Sequence, residues 1–153
     1  MGEELFEIML ATRQKREVET IISSNQLTQQ YGVTLSENDA LMLMENRKES
    51  LKESQRIEFG EGILPKLIYQ FCDSPYIYQE NYADTIAALQ EIFYQYKNEC
   101  LDEMTDDELL GCMKQFFDGP CQGSVEYLEE TCLDEIARSI RAGQIRGYDY
   151  DER

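Results

Sequence analysis

Apolar residues recurring at helical spacing, helix-capping signals between those stretches, and no convincing alternation of β-branched residues together predict an all-α fold. The expected architecture is a single irregular bundle of about five to six helices over residues 1–147, with a frayed polar tail at 148–153. At 153 residues and 42% apolar, the chain is long enough to bury one core.

Arg13 through Ile22 reads as a helix carried by Val18, Ile21 and Ile22, which Leu5 to Leu10 either extend or precede as a separate element. Segment 36–55 opens on Ser36-Glu37-Asn38-Asp39, where Ser36 caps and Asp39 stands on the first turn; Ala40, Leu41, Met44 and Leu51 mark its inner side. Gly60 and Gly62 bracket a break. Segment 63–73 follows, with Pro65 tolerated in a first turn. It is apolar on most sides and is expected to be the central helix. Pro75 turns the chain, because the residue before a proline is pushed out of the helical region. In segment 81–100, Tyr82, Ile86, Leu89, Phe93, Tyr96 and Cys100 alternate in steps of four and three, a helix-packing seam. Thr105-Asp106-Asp107-Glu108 is a capping box for a helix using Leu109, Leu110, Met113, Phe116 and Phe117. Ser124 caps the last helix, with Val125, Leu128, Cys132, Ile136 and Ile140 inside and Gly143 at its end.

Composition removes several chemistries. The chain has no histidine, which excludes Ser-His and Cys-His catalytic pairs and histidine metal sites. A net charge of −17 opposes binding to a phosphate backbone, so no direct nucleic-acid binding is expected. No apolar run approaches the ~20 residues of a membrane span, and the N-terminus lacks the basic and apolar regions of an export signal. The five cysteines, at 72, 100, 112, 121 and 132, are odd in number, widely spaced and free of any Cys-x-x-Cys pair, as expected of a reduced cytoplasmic protein. Cys121 alone falls in a loop, where a reactive thiol needs a cation or helix N-terminus beside it.

Four features compete as functional sites. Asp102, Glu103, Asp106, Asp107 and Glu108 offer oxygen ligands but lack the spacing of a calcium loop, and capping explains them; no metal or cofactor is expected. Arg56-Ile57-Glu58-Phe59-Gly60-Glu61-Gly62 superficially resembles an anion loop, yet Glu58 and Glu61 would repel an anion. A tight helix connection using glycine's freedom at positive φ fits better, with Arg56 pairing Glu58, Glu61 or Asp73 to fix the corner. Among the tyrosines, Tyr76 and Tyr78 lie in a turn and Tyr94 falls off the packing seam, so this corner is the candidate docking surface. Charge is also segregated: residues 67–137 hold 16 acids against Lys97 and Lys114. Basic residues gather at Arg13-Gln14-Lys15-Arg16, at Arg47, Lys48, Lys52 and Arg56, and at Arg138, Arg141 and Arg146.

Leu35-Ser36-Glu37 with Ala40, then Arg56-Ile57-Glu58-Phe59-Gly60 and Phe71-Cys72-Asp73-Ser74-Pro75-Tyr76, resemble phrases of a small bacterial protein family of unknown function. Phe93-Tyr94, Tyr96-Lys97-Asn98-Glu99, Asp106-Asp107-Glu108-Leu109 and Cys121-Gln122-Gly123-Ser124 continue that resemblance in order, over roughly residues 13–143. It implies a bacterial cytoplasmic protein and brings no activity with it.

The function expected is a non-catalytic module that binds another protein, with Tyr76, Tyr78, Tyr94, Arg56, Glu58, Glu61 and Asp73 as candidate contact residues. Two alternatives stand beside it. One is an acidic mimic of nucleic acid that occupies a DNA-binding protein, for which Asp102, Asp106, Asp107, Glu126, Glu129, Glu130, Asp134 and Glu135 would supply the phosphate-like charges. The other is an enzyme working through paired carboxylates.

Overall fold

The computed structural model describes residues 2–60 and 62–143. Glu61 and the tail at 148–153 lie outside the described residues. In chain order the elements are α1 (Gly2–Ser23), α2 (Asn25–Thr28), α3 (Glu37–Ser54), α4 (Leu64–Phe71), α5 (Tyr82–Glu99), α6 (Asp106–Asp118), α7 (Val125–Tyr127) and α8 (Leu133–Arg141). Six of these run to eight residues or more, and no strand occurs among the described residues. The fold is the expected all-α bundle.

Capping sets the helix starts as the sequence requires. Ser36 Oγ accepts from Asp39 N at 3.0 Å while the Asp39 carboxylate accepts from Ser36 N at 3.0 Å. Thr105 and Glu108 repeat the arrangement at 3.1 and 2.9 Å. Each box satisfies two N–H groups that the first turn leaves open.

The hub is α5 rather than segment 63–73. Helices α3, α4, α6 and α8 all pack on α5, and its predicted seam of Tyr82, Ile86, Leu89, Phe93, Tyr96 and Cys100 is buried throughout. Helix α4 is only eight residues long and leaves Lys66 and Tyr69 exposed, so it covers one flank of the hub. At its far end Phe71 meets Phe117 edge-on, and Phe117 in turn meets Tyr76.

Two stripes differ from expectation. In α3 the buried positions are Ala40, Leu43 and Ser50; Leu41 is exposed and Met44 and Leu51 are half-buried. Ser50 takes an inner position on the side of α5, where it shares a hollow with Glu91 and Tyr94. At the C-terminus a π turn over Leu128–Cys132 separates α7 from α8. Its extra residue re-phases the helix. Leu133 and Ala137 therefore take the core positions expected for Cys132 and Ile136, which stay half-buried.

Burial leaves a mark on the tyrosines. Tyr82 is pushed up to about 12 by burial, and Tyr96 to about 12 by burial with Asp134 and Glu129 nearby. An unfolded tyrosine loses its proton near pH ~10. The fold therefore favours the neutral phenols: their contribution is intact below pH ~10 and falls as pH rises towards about 12. In an alkaline titration the loss of helical signal should fall inside that window and be accompanied by a rise in tyrosinate absorbance.

Candidate functional site

The connection between α3 and α4 is built around one carboxylate. Glu58 Oε1 accepts from Arg47 Nε at 2.8 Å and from the Tyr94 hydroxyl, and its Oε2 accepts from the backbone N–H of Ile63 at 3.1 Å. Tyr94 is 2% exposed and Arg47 and Glu58 are both largely covered. A charge in that position holds only if it is paired and hydrogen-bonded, and both conditions are met here. Burial opposes the Arg47 charge, but hydrogen bonding and attraction from Glu58 and Tyr94 outweigh it, so the guanidinium holds its proton more firmly than usual. Burial and then the neighbouring Glu58 carboxylate push the Tyr94 phenol well up.

Gly62 makes that carboxylate possible. Its φ is +66°, and a Cβ there would stand 2.0 Å from Glu58 Oε1 and 2.8 Å from Arg47 Nη2. The backbone can pass the ion pair only without a side chain.

Arg56, two residues before Glu58, is held at the opposite end of the segment. It donates to Asn98 Oδ1 at 2.7 Å and to both carboxylate oxygens of Asp102, at 3.2 and 2.8 Å. Of the pairings expected, those with Glu58 and Asp73 do not form, because the chain runs along the end of α5 before it turns back. Asp73 pairs with Lys114 at 2.8 Å, on another side of the bundle.

With Arg56 and Glu58 drawn inwards, the alternation of an extended chain drives Ile57 and Phe59 out. They are 84% and 86% exposed, the highest values among the large apolar residues described. Beside them lies a groove of ≈ 450 Å³ whose walls include Arg13, Arg16, Glu17 and Phe59. An adjoining hollow of ≈ 410 Å³ runs along α3, past Leu41, Met44 and Lys48. Two of the basic clusters noted in the sequence thus meet at one edge of an acidic molecule.

The tyrosine corner is less open than its sequence suggests. Tyr94 is buried under the loop and offers no surface, a correction that follows from its hydroxyl reaching Glu58. Tyr76 is half-buried, and a Cβ on Gly123 would stand 2.5 Å from Tyr76 Cβ. Tyr78 is 58% exposed and stands apart from the groove residues. Glu61 falls outside the described residues. Sequence reasoning does not single out Arg47, Ile57 or Phe59 as site residues; Gly-x-Gly beside an acidic residue marks the loop that holds Ile57 and Phe59, and no signal marks Arg47.

Cys121 is buried, with its Sγ 3.7 Å from that of Cys132 and no cation among the causes of its shift. Burial, then the Cys132 thiol, pushes it up to about 12, and burial likewise raises Cys112 to about 11. A neutral thiol is a poor nucleophile. Iodoacetamide at neutral pH should therefore modify Cys121 and Cys112 in the folded protein at least tenfold more slowly than in urea, read by peptide mass mapping.

Fold and loop together define a small all-α protein with an acidic body and one apolar, partly basic edge. The chain belongs to a family of unknown function (DUF6323), whose model matches residues 20–146. No curated protein gives a significant match, and neither does any solved structure. Among the described residues no helix is long and apolar enough to cross a membrane, and no group of three or more Cys, Asp or Glu side chains converges as a metal site.

Proposed function

We propose that this protein is a non-catalytic interaction module of the bacterial cytoplasm, and that loop 56–60 with the groove beside it receives a partner protein. The observation that carries this reading is the display of Ile57 and Phe59 on a loop pinned from beneath by Glu58 and Arg56. Burying such a pair against a partner releases about 2 kcal/mol per side chain, and a loop already held in place loses little further freedom on binding. The basic rim at Arg13, Arg16 and Lys48 favours an acidic partner surface, and the net charge of −17 favours a protein over nucleic acid.

The other two readings draw less support. Asp102, Asp106, Asp107 and Asp134 are engaged with Arg56, Lys97, Lys66 and Arg138, which removes half of the carboxylates a nucleic-acid mimic would present. Among the described residues, Glu58 faces an arginine and a tyrosine rather than the second carboxylate that acid–base catalysis would need.

Capture from the native cytoplasm tests the proposal, using the tagged wild type, I57S/F59S and Y78S with mass spectrometric readout. Both exposed sites tolerate substitution within about ±0.5 kcal/mol, so the variants report on binding rather than folding. One dominant protein should be captured by wild type and Y78S and lost from I57S/F59S. Equal capture by I57S/F59S would contradict the assignment of the loop.

A further inference from the structure

Among the described side chains of α1, only those of its last turns enter the core: Val18 and Ile21 are buried and Ile22 half-buried. Every described side chain from Glu3 to Arg16 is exposed. The family match begins at residue 20, beyond this arm. An unsupported helix of roughly 12–15 residues is marginal in water, so an arm of this length gains its order from a cover.

The arm carries the pattern of a packing face. Leu5, Ile8, Met9 and Thr12 fall at i, i+3, i+4 and i+7, and the three apolar members are 61%, 58% and 61% exposed. At the helical repeat this stripe points away from the side carrying Val18 and Ile21, so it is turned out from the protein's own core. Charge is segregated along the same arm: Glu3, Glu4 and Glu7 precede the stripe's centre, and Arg13, Lys15 and Arg16 follow it.

We propose that the arm is covered by the same arm of a second copy, running antiparallel about a two-fold axis beside Met9. That placement sets Ile8 and Met9 of both copies at the centre. It lays the acidic end of each helix along the basic end of the other. Glu4 and Lys15 lie on the same flank of the stripe, as cross-pairing in an antiparallel helix pair requires. A parallel pair would bring like charges together at both ends. The aliphatic stem of Arg16 has the reach to cover Leu5 of the partner copy. The surface is self-complementary, the condition for a closed dimer.

This inference does not rest on the docking role of loop 56–60, and either can fail alone. Sedimentation equilibrium of the full chain, from low micromolar to near-millimolar concentration at low salt, is the test. The wild type should be a dimer whose melting temperature rises with concentration, and I8D/M9D a folded monomer whose melting temperature does not depend on concentration. E4K should weaken the dimer about tenfold, because symmetry counts each swapped pair twice, and E4K/K15E should restore it. A monomer at every concentration, a dimer that survives I8D/M9D, or one that E4K leaves unchanged would overturn the proposal.

Discussion

Replacing Glu58 with alanine lowers the stability of the protein by about 3 kcal/mol, the low end for breaking a buried ion pair, because the pair here keeps some contact with water. The substitution strands three donors at once: the Arg47 guanidinium, the Tyr94 hydroxyl and the Ile63 N–H. Losing the partner of a buried charge costs more than the pair itself contributed, since the charge remains without its solvent. Glu58→Gln keeps the shape and an acceptor but not the charge, and should cost about half as much. Urea denaturation of the three proteins reads these differences. The E58A loop should also lose its fixed display of Ile57 and Phe59, so partner capture falls although both side chains are retained.

Gly62→Ala should cost about 3 kcal/mol by a different route with the same endpoint. A residue with a Cβ is strained at φ +66°, and the added atom would meet Glu58 Oε1 at 2.0 Å, which forces the carboxylate out of its place. Most of the cost is therefore the loss of the Glu58 contacts. In an E58A background that part is already gone, and Gly62→Ala should cost only about 1 kcal/mol, the backbone strain alone. Additive effects in the double variant would mean that glycine serves the turn and not the ion pair.

The parts of the fold that the sequence made legible are those set by neighbours along the chain. The α5 seam shows because its apolar residues keep step over the whole helix, and the Ser36 and Thr105 caps show because both partners lie within three residues. The π turn at Leu128–Cys132 has no such mark, and its single extra residue moves the next two inner positions from Cys132 and Ile136 to Leu133 and Ala137. The choice of α5 over segment 63–73 as hub was hidden for a related reason. Apolarity on most sides suggests a centre, but length and the number of faces covered decide it.

The site divides in the same way. Glu58, Arg56 and the glycines were visible as an acidic turn needing positive φ. Arg47 and Tyr94, 11 and 36 residues from Glu58, were not, because only the packing of α3 on α5 brings them there. Ile57 and Phe59 were hidden by a sound general rule: large apolar residues usually go inside. Here their neighbours on either side are tied down by polar contacts, which leaves the apolar pair facing water.

Placing a photo-crosslinking phenylalanine analogue at position 59, with position 78 as the comparison, tests most directly whether the loop is a docking edge. In the native cytoplasm, position 59 should give one dominant crosslinked protein, and the same substitution carried with E58A should give far less. Crosslinking from position 78 alone, or none from position 59, would contradict the docking role of the loop.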